Sequence, residues 1–173
     1  MTQGSILNRI RTDVRAMQPY LSARYLTAPS PDDVLLDANE LPYDPLPEMP
    51  GLNRYDDQQP AAMMNAVAGF LNVPVERLLV SRGGDEAIDL LVRLFCRPGQ
   101  DSILISPPAF PMYPRAAAMN GTALISVPLE ADFSLDIAKV LAAVREDTKL
   151  VFVSSPHNPV GVSVPMADIE TLC

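Results

Sequence analysis

Histidine and cysteine are nearly missing from this chain, and long apolar runs and clusters of basic residues are missing altogether. His157 is the one histidine, so it gives no metal site, and no other grouping of side chains suggests one. Cys96 and Cys173 are the two cysteines, and neither belongs to a CxxC pair. That argues against a disulfide framework and implies reduced thiols in a cytosolic compartment. No apolar stretch is long enough to span a bilayer, and residues 1–5 do not lead into a signal-like hydrophobic core. Thirteen basic residues against 21 acidic ones give a net charge of −8. A field of that sign disfavours nucleic acid, and no run of Lys or Arg offers a local exception. An anionic ligand would have to be held by local groups against the global charge.

Proline and short apolar segments are what the chain has in quantity. At 173 residues, 48% of them hydrophobic, it is long enough for one domain with a sizeable core. Among 18 prolines, Pro29, Pro31, Pro42, Pro45, Pro47, Pro50 and Pro60 crowd one stretch. They predict an extended, irregular arm, although Val34, Leu35, Leu36 and Tyr43 would be odd residues to leave in solvent. A short helix is expected over 6–16, with Ile6, Ile10 and Val14 on one side. The organised part begins near residue 60, with a helix over 60–70 that carries Pro60 near its first turn. A short strand is expected at 78–80, then a helix over 85–95 whose Ile88, Leu91, Val92 and Phe95 share one apolar stripe. Beyond it come a strand at 102–106, a helix over 113–120 closed by Gly121, and a strand at 123–127. Ser134 should cap a helix running to Arg145 with Leu135, Ala138, Leu141 and Ala142 on one face. A strand at 150–153 and a last helix from about Pro165 complete the pattern. The strands read as apolar on both faces, as parallel strands covered by helices do. The predicted fold class is therefore α/β: an open, mostly parallel sheet with helices on both faces, preceded by an irregular N-terminal arm.

Three loops stand out because each follows an apolar strand, which would let them meet on one rim of the sheet. Ser81-Arg82-Gly83-Gly84-Asp85-Glu86 runs into a helix. It is either a tight turn with an acidic first helical turn or a phosphate cradle of amides near Gly84, Asp85 and Glu86. Its spacing is not G-x-G-x-x-G, and there is no P-loop lysine. Phe110, in a loop stiffened by Pro107 and Pro108, is either a hydrophobic plug or a platform for a flat heterocycle. Ser155-Pro156-His157-Asn158-Pro159-Val160-Gly161 is either an ordinary turn or a loop whose Asn158 amide donates to a phenolate-like oxygen. His157 fits a supporting hydrogen bond better than acid–base catalysis. Asn53-Arg54-Tyr55 suits either plain surface or a subunit contact.

Taken in order, Pro19-Tyr20-Leu21-Ser22-Ala23-Arg24, Leu36-Asp37-Ala38-Asn39-Glu40, Asn53-Arg54-Tyr55, Ser81 to Glu86, Pro107-Pro108-Ala109-Phe110-Pro111-Met112-Tyr113 and Ser155 to Pro159 make the chain specific. It resembles the N-terminal part of the fold-type I, pyridoxal-phosphate-dependent aminotransferases, closest to the histidinol-phosphate aminotransferases. The resemblance implies that residues 1–59 form an arm with small-domain and dimer contacts, and that 60–173 begin the cofactor-binding large domain. It implies pyridoxal 5'-phosphate as cofactor, with its phosphate held around Gly84, Asp85 and Glu86, its ring stacked on Phe110 and its 3'-oxygen bonded by Asn158. Tyr55 would reach the cofactor phosphate of the neighbouring subunit in a homodimer, while Tyr20 and Asn39 would lie near substrate. The implied reaction moves an amino group between histidinol phosphate and 2-oxoglutarate in histidine biosynthesis, in the cytoplasm, with no nucleic acid or membrane partner.

Two positions depart from the family pattern. Val160 stands where threonine is usual, and Phe110 where relatives often carry tyrosine; neither change removes the chemistry. The larger departure is that the family's cofactor-bonding lysine, pyridine-nitrogen aspartate and substrate arginines all fall beyond Cys173. Neither Lys139 nor Lys149 matches the lysine motif, so no catalytic residue is assigned within the chain. The expectation is a partial aminotransferase, inactive by itself. The alternatives are a short protein acting as a binding or structural partner, and a related aminotransferase or decarboxylase of different specificity.

Overall fold

The structure is a computed structural model that describes residues 5–20, 30, 33–36, 38–48, 50–55 and 59–173. The chain packs as two units, one formed by residues through Ala16 together with Ser81–Cys173, the other by Met17–Val80. The second unit takes in the expected helix near residue 60, where the sequence reading places a division at 59/60.

In the first unit, residues 6–16 do not form one helix. A 3-10 turn, Ile6–Arg9, is followed by a single turn α1, Thr12–Arg15, with Ile10 and Arg11 extended between them. The break lets Arg11 reach another element. Its N–H donates to Leu94 O at 3.0 Å, and its guanidinium donates to the carbonyls of Arg93 at 3.0 Å and Cys96 at 3.3 Å. These carbonyls end a helix and lack partners within it, so an extended Arg11 satisfies more polar groups than a continuous helix would. In the second unit, α2, Ala61–Leu71, opens after Pro60 as expected and closes on Asn72 in the left-handed region. The strand expected at 78–80 does not form. Gln59 takes the place of a ladder partner: its Oε1 accepts from Val80 N–H and its Nε2 donates to Val80 O, both at 2.9 Å.

The remainder of the first unit is the α/β core. Helix α3, Gly83–Phe95, begins two residues earlier than expected because Gly83, at φ +80°, supplies the turn and Gly84 already lies in the helix. Strand β1, Ser102–Ile105, helix α4, Met112–Asn120, strand β2, Ala123–Ser126, helix α5, Ile137–Ala143, strand β3, Thr148–Val151, and helix α6, Met166–Leu172, follow in order. Among the described residues the sheet has the order β2-β1-β3, and both pairings are parallel.

Alternation along β1 divides the core. Ile103 and Ile105 pack on one face with Val92 of α3, Cys96 just past its end, and Ala116 and Ala117 of α4. Leu104 packs on the other face with Val127 and with Val140 of α5, joined by Leu172 of α6. Helices therefore cover both faces, as the sequence predicts. Among the described strands only β1 is buried throughout; β2 is largely exposed and β3 alternates between exposed and partly buried, because they are the outer strands. The helix expected over 134–145 is shorter. Asp136, not Ser134, is its cap, accepting from Lys139 N–H at 2.9 Å, and Val140 is the buried residue while Leu141 is largely exposed. Ser134 instead binds Asp132 within the preceding turn. The third strand begins at Thr148, two residues ahead of its expected start, where the Thr148 hydroxyl pairs with that of Ser102 at 3.2 Å. No helix among the described residues is long and apolar enough to cross a membrane.

Candidate functional site at the ends of the parallel strands

Adjacent parallel strands release their chains at the same edge, and in open α/β sheets that edge is where ligands are held. Strand β1 leads into Ser106-Pro107-Pro108-Ala109-Phe110, and β3 into the loop holding Asn158. Phe152 N–H still donates to Leu104 O at 2.9 Å, so the second loop leaves the sheet beside the first. A side chain then joins them: His157 Nε2 lies 2.9 Å from Pro108 O. Two of the three loops singled out in the sequence are thus in direct contact.

Phe110 is half buried rather than sunk in the core. Its ring meets Tyr113 edge-on at 5.8 Å, and Tyr113 stacks on Phe152 at 4.6 Å between centroids. Tyr113 sits in the first turn of α4 and Phe152 just past β3, so the aromatic row connects both loops to the core face containing Ile103 and Ile105. Neither Tyr113 nor Phe152 is distinguishable by sequence from an ordinary core residue, because the row exists only once the strands are paired.

The Asn158 loop is braced along its length. Ser154 Oγ accepts from Asn158 N–H at 3.2 Å, and Ser155 Oγ accepts from Val164 N–H at 3.0 Å. His157 N–H donates to Val162 O at 2.7 Å, and its carbonyl accepts from Gly161 N–H at 2.6 Å. These bonds use the backbone of Asn158 and leave its residue exposed. Val160, the departure from the usual threonine, is only partly buried, and the turn closes through backbone groups without a hydroxyl there.

Helix α3 returns to the far edge of the sheet through the turn at Arg97 to Asp101, so it runs antiparallel to β1. Its first turn therefore lies toward the edge where β1 and β3 end. Its N-cap residue, Arg82, makes no side-chain bond to the first-turn amides, and an added Cβ at Gly84 would meet nothing within 4 Å. Free amides with an open approach are the chemistry that phosphate needs. The acids play unlike parts. Glu86 accepts from Arg82 N–H at 2.6 Å and pairs with its guanidinium at 2.7 Å, which holds the Glu86 carboxyl below its usual range. Its carboxylate is committed to Arg82, so its contribution to an anion would be the amide. Asp85 is exposed.

The remaining candidates belong to the other unit. Glu40 draws two of their segments together, accepting from Tyr55 N–H at 2.6 Å and pairing with Arg54 at 2.8 Å. Asn53 donates to Leu41 O at 2.9 Å. Asn39, beside Glu40, adopts a left-handed φ of 54°, which asparagine tolerates. Tyr55 and Tyr20 are exposed. Glu40 as the clamp is a residue that sequence reasoning did not single out. Asp37 and residues 21–24 lie outside the described residues.

Both lysines are held by acids. Lys139 pairs with Glu130 and, at 3.2 Å, with Asp136, and these bonds raise its pKa. Lys149 lies in β3, 3.6 Å from Asp101, at the edge of the sheet where β1 begins.

Comparison with known proteins identifies the family of the chain. Residues 24–173 match the family described as aminotransferase class I and II. A histidinol-phosphate aminotransferase of Aliivibrio fischeri is 44% identical over 164 residues, covering 94% of this chain and 46% of its own. The chain thus spans about half the length of the curated relatives it matches. Among solved structures, N-succinyldiaminopimelate aminotransferase from Mycobacterium tuberculosis superposes with a TM-score of 0.64 at 28% identity, covering 70% of this chain and 34% of that one. Histidinol-phosphate aminotransferase from Sinorhizobium meliloti, in complex with pyridoxal-5'-phosphate, gives 0.61 at 26% identity, covering 68% and 33%.

Proposed function

Because the chain belongs to the class I and II aminotransferases, we propose that the protein moves an amino group from histidinol phosphate to 2-oxoglutarate, using pyridoxal 5'-phosphate, in histidine biosynthesis. The observation that carries the reading is the 44% identity, over 94% of this chain, to a protein named histidinol-phosphate aminotransferase. The residues at the strand ends suit such a cofactor: uncapped amides at a helix start, a half-buried aromatic ring and an exposed carboxamide.

Gly84, Asp85 and Glu86 would hold the phosphate through their amides, with the helix start favouring the negative charge. Phe110 would lie against the ring, and Asn158 would donate to its 3'-oxygen. When bound, the cofactor supplies an electron sink that lets an amino group leave one carbon skeleton and join another. Tyr55 would serve the site of the other subunit in a homodimer, and Tyr20 and Asn39 would face the substrate. The enzyme would work in the cytoplasm.

The test is the formation of glutamate from 2-oxoglutarate and histidinol phosphate by the protein at its natural length, with aromatic amino acids as competing donors. Turnover with histidinol phosphate well above the others is expected. Preference for an aromatic donor would move the specificity, and no amino transfer with any donor would overturn the reaction.

A further inference from the structure

His157 is 4% exposed, and its Nε2 lies 2.9 Å from the Pro108 carbonyl. A carbonyl only accepts, so in a neutral imidazole the proton is on Nε2 and Nδ1 is the bare nitrogen. Nδ1 is itself buried with no hydrogen-bond partner among the described residues. An apolar side chain would fill this space without burying an unpaired acceptor, so packing alone does not account for an imidazole here. What the imidazole adds is a bond across 49 positions of sequence. One end of that bond is two residues from Phe110, and the other is the residue next to Asn158. The backbone of His157 is fixed on both sides, by Val162 O and Gly161 N–H, so the ring cannot swing away without opening the turn.

We infer that His157 is a positioning residue: it fastens the Pro108–Phe110 segment to the Asn158 turn and so fixes the two side chains that would hold the cofactor ring. This rests on the cofactor reading above. Each segment is otherwise anchored on its own side, Phe110 to α4 through Tyr113 and Asn158 to the 154–164 loop. Without His157, among the described side chains no other hydrogen bond ties one segment to the other.

Side-chain length separates the variants. The amide nitrogen of glutamine reaches about as far as Nε2 and can donate to Pro108 O. Asparagine reaches only as far as Nδ1, and leucine cannot donate at all. In the protein at its natural length, His157→Gln should bind pyridoxal 5'-phosphate within about twofold of wild type. His157→Asn and His157→Leu should bind about tenfold more weakly by equilibrium dialysis. The absorption band of the bound cofactor and its pH dependence should shift in the Asn and Leu variants and stay in place in the Gln variant. A loss of folded protein would lower the amount bound without moving that band. Nitrogen-15 spectra should show a protonated Nε2 and a bare Nδ1 for the signal that disappears in His157→Gln. Wild type that fails to bind the cofactor would overturn the cofactor reading. Wild type that binds, with all three variants alike in affinity and spectrum, would overturn the role of His157, as would a glutamine variant no better than leucine or a proton on Nδ1.

Discussion

A carboxylate as buried as Asp101, at 1% exposure, persists as a charge only where donors surround it. It accepts from Arg97 N–H at 2.7 Å and from the Arg97 guanidinium at 2.9 and 3.0 Å, with Lys149 at 3.6 Å. The Arg97 bond is the main reason its pKa falls to about 2. Since the unfolded value is about 3.9, the folded state binds the proton less readily, and Asp101 adds stability above pH 4 that is lost as pH falls towards 2. Half of the Arg97 side chain faces solvent, so the contribution is discounted to about 1–2 kcal/mol. Asp101→Asn should cost that much at pH 7 in urea denaturation, and the gap from wild type should close between pH 4 and pH 2. A gap that persists unchanged at pH 2 would assign the loss to packing instead. Residues of this kind are the hardest to read in a sequence. Phe110 and Asn158 are visible there because proline, glycine and asparagine cluster around them. The roles of Asp101, Glu40 and His157 depend on which partner folding brings near, and His157 finds its partner in a loop separated from it by two helices and two strands.

At the level of elements, the sequence is most legible where periodicity and punctuation agree. Helix α3 is marked by the two glycines that open it and an apolar stripe along it, and Val92 lies fully buried with Ile88 and Phe95 against the same core face. Helix α4 ends at Gly121, whose φ of 69° is the left-handed stop its sequence suggests. The misplaced elements have local causes. Three apolar residues at 78–80 look like a strand, yet a strand requires a neighbour, and Gln59 supplies the hydrogen bonds in its place. Ser134 and Asp136 are both competent caps two residues apart, and pattern alone does not choose between them. In the structure Asp136 accepts the first-turn amide and Ser134 does not. Asp136→Ala should therefore lower stability by about 1 kcal/mol, while Ser134→Ala should stay within about 0.5 kcal/mol of wild type in thermal or urea unfolding. The reverse order would restore the longer helix expected from sequence.

For the molecule as a whole, the decisive residue type is lysine, because amino transfer of this class needs a lysine that bonds to its cofactor. The sequence contains Lys139 and Lys149 and no others. Lys139 is kept protonated by Glu130 and Asp136, and a protonated amine has no lone pair for a carbonyl carbon. Lys149 lies at the edge of the sheet where β1 begins, paired with Asp101, whereas the candidate site lies where β1 and β3 end. The relatives that the chain matches are about twice its length, which leaves room for the reacting lysine outside residues 1–173. Borohydride reduction in the presence of pyridoxal 5'-phosphate should accordingly leave the 173-residue chain without a site-specific label. The protein at the length of its relatives should be labelled at one lysine, mapped by peptide mass spectrometry to a position beyond Cys173. Label concentrated on Lys139 or Lys149, with amino transfer abolished when that lysine is replaced by arginine, would instead make these residues a complete catalyst. A protein that takes no label at any length, yet still binds the cofactor, would have kept the cradle at the strand ends as a binding surface.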